Sequence, residues 1–248
     1  MHNPFTPCVG GVASADIAVP RHAEELHFYT RLLTTGGSPL WRDDLLSSAG
    51  VPVIGLGKAS PAYAHLPVQW MPHIQVADVA ESARAAVELG GQELMHGRDP
   101  EGNSQWAVLA DPSGAAFGVV PFVANTTPPP TPPAFGHISQ LELVTGDLEA
   151  SKAFYRSVVG WAYAPETHAI FRADGERVGQ FQAKAGIHAK VPSVWLLHLP
   201  VDDLDESLAR VEPEGGTVVR VESGADGRVE TAVVQDLVGA CVVLTRAV

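Results

Sequence analysis

Apolar residues alternate with small or polar ones from Val12 to Val19 (VASADIAV), the two-residue period of a half-buried strand. Then the spacing changes. Ala23, Leu26, Phe28, Tyr29, Leu32 and Leu33 fall three and four residues apart, which predicts a helix. Short strand-like runs broken by Gly, Pro and Asp follow. The order then restarts in HIQVADVAESARAAVELGG, which predicts a strand, an N-capping Asp78 and a helix from about Val79 to Leu89 stopped by glycines. Past the midpoint the same reading applies. Ile138 to Val144 is strand-like, and Leu148, Ala153, Phe154 and Val158 mark a helix. WLLHLPVDDLDESLARVEPEGG then supplies another strand and a helix capped by Asp202 or Asp203. Strand, helix and several short strands, four times over, predict an α+β fold of four βαβββ modules.

The modules pair into two halves. VANTTPPPTPPAF, from Val123 to Phe135, lacks backbone donors at its prolines and favours extended geometry, so 124–134 is expected to be a semi-rigid linker between domains 8–123 and 135–248. Phe28-Tyr29 recurs as Phe154-Tyr155, Asp78 as Asp203 and Gly90-Gly91 as Gly215-Gly216. ADPSGAAFGVV from Ala110 is echoed by QDLVGACVVL from Gln235, and the offset throughout is 125 or 126. A constant offset over a whole half marks an internal duplication.

Composition narrows the function classes. With 46% hydrophobic and 18% charged residues among 248, the chain can build a core. No apolar run approaches the roughly 20 residues of a membrane span, and the N-terminus lacks a signal-peptide pattern, so a cytoplasmic protein with no membrane partner is expected. Cys8 and Cys241 alone make neither a disulfide framework nor a four-thiolate zinc site. The net charge of −12 argues against nucleic acid as a partner. No G-x-S-x-G, Walker or dinucleotide motif supports a hydrolase, NTPase or dehydrogenase.

LELVTGDLEASKAFYRSVVGW, from Leu141 to Trp161, and the DPSGAAFGVV turn and strand from Asp111 resemble the vicinal oxygen chelate superfamily of glyoxalases, bleomycin-resistance proteins and extradiol dioxygenases. The likeness is greatest to its tandem-domain, hydroxylase-like actinobacterial members. It implies two tandem glyoxalase-like domains, each an eight-stranded half-open β cup with two outer helices, packed as a monomer or homodimer. It also implies a divalent metal in each cup. The family's first ligand position, fourteen residues before the Phe of the Phe-Tyr pair, holds Ser14 and Gln140 here. The second, seven before the Asp that opens the second helix, holds Met71 and Leu196, and the third, seven after the turn Asp, holds Gly118 and Val243. Only Gln140 offers a donor, so neither a metal nor any other cofactor is expected.

Strand alternation carries each ligand face two residues onward. It places Asp16 with Ser14, His73 and Gln75 with Met71, Glu142 with Gln140, and His198 with Leu196. A carboxylate beside an imidazole can move protons, and it can equally be a buried anchor. Catalysis is therefore expected from Glu142 and His198, or from Asp16 and His73. Gln140, Gln75, Trp106, Ser14, Met71 and Leu196 would contact substrate, and Trp106 could stack on an aromatic ring. Trp41, Tyr63 and Trp70 lie near the predicted rim of the first cup, while His22 and His27 look like surface residues. The expected function is a metal-independent cyclase, isomerase or lyase acting on a largely apolar or aromatic metabolite, in a setting such as antibiotic biosynthesis. The alternative is a protein that sequesters a drug or metabolite without catalysis. One cup is expected to bind ligand more tightly than the other.

Overall fold

The computed structural model describes residues 7–35, 38–39, 54–122, 138–164 and 166–246. The predicted linker and Trp41 lie outside these. The first half runs β1 (Val12–Val19), α1 (His22–Leu32), β2 (Thr34–Thr35), β3 (Ser38–Pro39), β4 (Ile54–Lys58), β5 (Met71–Val76), α2 (Val79–Glu88), β6 (Gln92–Arg98), β7 (Ser104–Ala110) and β8 (Ala116–Pro121). The second runs β9 (Gln140–Thr145), α3 (Leu148–Val159), β10 (Ala162–Tyr163), β11 (Ala169–Phe171), β12 (Arg177–Ala183), β13 (Trp195–Val201), α4 (Leu204–Val211), β14 (Thr217–Ser223), β15 (Val229–Gln235) and β16 (Cys241–Arg246). The second sheet has the expected eight strands, ordered β10-β11-β12-β9-β13-β16-β15-β14. Among the described residues the first has six, β4-β1-β5-β8-β7-β6, with β2 and β3 in a separate ladder. No helix of the described residues is long and apolar enough to cross a membrane.

Three helices start on the expected kind of cap. Asp78, Asp147 and Asp203 accept hydrogen bonds from the backbone N–H of Glu81, Ala150 and Glu206 at 2.9, 3.0 and 2.9 Å. Of the two candidates in the last helix, Asp203 is the cap. α1 follows Arg21 and has no side-chain cap.

The repeated motifs hold the halves to each other. Tyr29 donates to Asp236 at 2.8 Å and receives the Trp70 indole N–H at 3.0 Å. Its counterpart Tyr155 donates to Asp111 at 3.1 Å and receives the Trp195 N–H at 2.9 Å. Each Asp thus belongs to the opposite half, with its other oxygen fixed by two backbone N–H groups of its own turn. The glycine pairs complete the joint. A Cβ on Gly91 would meet the Phe154 ring at 3.0 Å, and one on Gly216 would meet Phe28 at 2.7 Å, so each phenyl ring docks where the other half has no side chain. One apolar core runs through both halves as a result. Tyr155→Phe strands the Trp195 N–H and an Asp111 oxygen in that core. A loss of about 2 kcal/mol in urea unfolding is expected, against nearly none if water reaches the gap.

Candidate functional site

Five side-chain positions meet on the concave face of the first sheet. Strand pairing sets Ser14 opposite His73, Asp16 opposite Met71, and His73 beside Gly118. Residues paired across neighbouring strands share a face, as do residues two apart along one strand, so all five point into the cup. The imidazole of His73 lies across Gly118, where a Cβ would come within 2.5 Å of the ring. Ser14 Oγ is 2.8 Å from His73 Nδ1, and Asp16 Oδ1 is 3.4 Å from Nε2. One ring nitrogen is therefore pinned by a hydroxyl and the other faces a carboxylate that is 49% exposed. Asp16, Met71 and His73 line a cavity of about 560 Å³, with Tyr63, Met95 and Trp106 among its other walls. This volume suits a ligand considerably larger than a single ring.

The second cup has the same backbone and different contents. Gln140 pairs with His198, Glu142 with Leu196, and His198 with Val243. Glu142 lies 3.2 Å from His198 Nε2 and 3.0 Å from Arg220 Nη1, and Gln180 donates to it at 3.4 Å. Arg220 also touches His188, and its Nε is 3.3 Å from Glu222. Both Glu142 and Arg220 are 2% exposed. Burial alone would raise the Glu142 carboxyl, but the hydrogen bonds and charges of His198 and Arg220 prevail and bring it down to about 2. Val144, Val191, Leu196, Val233, Cys241 and Val243 fill the rest of the cup as a separate apolar cluster.

Position by position, the duplication explains the difference. At the offset of 125, Tyr63 corresponds to His188, Met95 to Arg220, Gly97 to Glu222 and Gly118 to Val243. Gly55 and Gly57, beside Asp16 and Ala18, take the places held in the second cup by Gln180 and Gln182, beside Glu142 and Val144. Glycine in the first cup faces longer side chains in the second. Among the described residues the first is hollow for that reason, and the second is packed with side chains in contact with one another, although Arg220 Nη2 is buried there without a hydrogen-bond partner.

The predicted residues therefore separate. Asp16, His73, Met71 and Trp106 line the cavity, and Ser14 supports His73. Gln75 is buried one step past His73 and does not line it. Glu142, His198, Gln140 and Leu196 belong to the second cup, away from the cavity. Trp70 is in the core rather than at the rim, and Tyr63 is at the rim. Burial pushes the Cys241 thiol up to about 12, which leaves it inert. Sequence reasoning passed over Arg220, His188 and Met95; aligning the halves at the offset of 125 would have exposed the exchange of Met for Arg.

The donor positions do not fit a divalent ion. Gly118 and Val243 carry no ligating atom, the space beside Gly118 is taken by the His73 ring, and Met71 and Leu196 are buried apolar residues. Among the described residues no three His, Cys, Asp or Glu side chains converge on one point.

Two family models match the chain: the Glyoxalase/Bleomycin resistance protein/Dioxygenase superfamily over residues 134–240 and a Glyoxalase-like domain over residues 14–120. The chain is 29% identical over 162 residues to the anthracycline biosynthesis protein DauV of Streptomyces sp. (strain C5) and 28% identical over 162 residues to DnrV of Streptomyces peucetius. Each alignment takes in 62% of this chain and 57% of the relative, so the chain spans little more than half of those proteins. Among solved structures, homoprotocatechuate 2,3-dioxygenase from Arthrobacter globiformis superposes with a TM-score of 0.56 at 12% identity, covering 97% of this chain and 80% of that one. That likeness is one of fold. With both halves matched and the cups formed as the family forms them, the chain is a tandem-domain member of the glyoxalase/bleomycin resistance protein/dioxygenase superfamily.

Proposed function

We propose that the chain is a metal-independent enzyme of small-molecule metabolism, and that its N-terminal cup carries out proton transfer on a largely apolar or aromatic substrate. The observation that carries this reading is the Ser14, His73 and Asp16 arrangement on the wall of a mostly apolar cavity. His73 Nε2 faces Asp16 Oδ1 at 3.4 Å, and Ser14 holds the ring in place. A proton taken from a substrate C–H or O–H is stored on this pair and returned at another atom, which is the requirement of an isomerisation or cyclisation. Apolar walls exclude the water that would compete for it. The role of the DauV and DnrV relatives in anthracycline biosynthesis supports an aromatic metabolite as substrate.

A generic proton-abstraction reaction tests the pair without knowledge of the natural substrate. In nitrobenzisoxazole the base removes the ring C–H proton, the electron pair forms a nitrile, and the N–O bond breaks to release a coloured cyanonitrophenolate. The protein should exceed free imidazole at equal concentration, and His73→Phe and Asp16→Asn should each lower the rate about a hundredfold. Prior dialysis against EDTA should change neither the rate nor the thermal midpoint. Equal rates for both variants and the unaltered protein would remove the enzymatic reading and leave a sequestering protein.

A further inference from the structure

Trp106 departs from the other tryptophans of the described residues. Trp70, Trp161 and Trp195 are fully buried, whereas Trp106 is 38% exposed on the concave face. Its indole lies flat across the neighbouring strand at Gly97, its pairing partner. A Cβ on Gly97 would come within 2.2 Å of Cε2 and 2.3 Å of Nε1, contacts that no side chain can make. Only glycine there lets the ring lie down, and a register shift between Gly97 and Arg98 sets the local geometry. Leaving an indole face open to water forgoes the stabilisation its burial would bring, so an exposed flat ring at a cavity wall is a surface prepared for a ligand.

The rest of the cavity repeats that shape. Gly55 and Gly57 leave bare backbone among its walls, and the thioethers of Met71 and Met95 adapt to a ring edge or face. A second aromatic ring at the mouth, Tyr63, is 45% exposed. In the second cup the matching positions carry Glu222 for Gly97, Thr231 for Trp106, and Gln180 and Gln182 for Gly55 and Gly57, so neither the indole nor its glycine neighbours recur there.

We infer that the N-terminal cup selects planar fused-ring aromatics bearing a hydroxyl or other acidic hydrogen, that Trp106 is their stacking wall, and that Gly97 determines this preference by keeping the indole flat. The inference rests on the N-terminal cup being the ligand site. Trp106 and the Asp16 and His73 pair line the same cavity, and a single ring fills only a fraction of its volume of about 560 Å³.

The full chain is titrated with alizarin, a three-ring dihydroxy compound, and with catechol, which has the same hydroxyl pair on one ring, with calorimetry and tryptophan fluorescence as readouts. Alizarin should bind one per chain, quench the fluorescence and be held at least about tenfold more tightly than catechol. Trp106→Leu and Gly97→Val should each weaken alizarin about tenfold and leave catechol within about twofold. Trp106→Leu keeps the test decisive if Gly97→Val does not fold. Alizarin held no more tightly than catechol, or held equally by Trp106→Leu and the unaltered protein, would overturn the inference. Failure of the proton-transfer reading is distinct: alizarin still binds and responds to both variants, while nitrobenzisoxazole turnover stays at the level of His73→Phe.

Discussion

Arg220→Met lowers the unfolding free energy by about 4 kcal/mol, because it leaves the Glu142 carboxylate buried with its permanently charged partner gone. The substitution installs the residue that the first cup has at the matching position, Met95, so its shape is compatible with the fold. What it lacks is the charge. Glu142 is 2% exposed, and with Arg220 absent it keeps only His198 at 3.2 Å and the Gln180 amide at 3.4 Å. Adding Glu142→Leu removes the stranded charge as well, and the double variant should recover most of the loss, since an ion pair replaced by hydrocarbon is near neutral. Urea midpoints of the two proteins decide the matter. A single variant within about 1 kcal/mol of the unaltered protein would show that water already screens the cluster. The pH dependence has a fixed sign: a carboxyl lowered from its usual value to about 2 stabilises the fold above its unfolded pKa, and that contribution is lost as pH falls toward 2.

The concave faces are legible in the sequence, because a two-residue period and a constant offset together determine which residues share a wall. Ser14, Asp16, Met71 and His73 follow from that, while Asp78 and the Asp202-Asp203 pair were marked as caps by their place before a helical run and Asp147 was not. Which cup is hollow does not follow. It depends on Met95 against Arg220, and on Gly55 and Gly57 against Gln180 and Gln182, residues outside the repeated motifs, whose effect comes from volume and charge. The sequence left the two cups unranked, whereas the structure buries Glu142 and His198 in a cluster with Arg220. The repeated Phe-Tyr, Gly-Gly and Asp turns carried a second message that the offset alone concealed. They recur because each half supplies the socket for the other's aromatic pair, and that contact is long-range in sequence.

Glu25→Gln should stabilise the protein at pH 8 by about 3 kcal/mol more than at pH 4.5, a gain from removing a charge that the fold does not use. Glu25 is fully buried on α1, and neither carboxyl oxygen has a hydrogen-bond partner among the described residues. Burial foremost, and then the negative charge of Asp236, push its carboxyl up to about 7, with Arg21 and the backbone of Leu237 pulling the other way. Between its ordinary value near 4.5 and 7 the folded protein holds a proton that the unfolded chain releases, so stability declines as pH rises through that window and levels off above it. Glutamine keeps the size and cannot ionise. The matching position of α3 is Ser151, an uncharged residue bonded to Thr145 at 2.8 Å, so the duplicated fold does not require an acid there. Asp236 is the group that Tyr29 grips across the joint between the halves. Ionised Glu25 therefore loads the same contact with a second negative charge, and alkaline loosening should begin at this joint before either sheet opens. Urea unfolding of both proteins at pH 4.5 and 8 gives the comparison. Curves that stay parallel across the range would mean that water already solvates Glu25 in the native state.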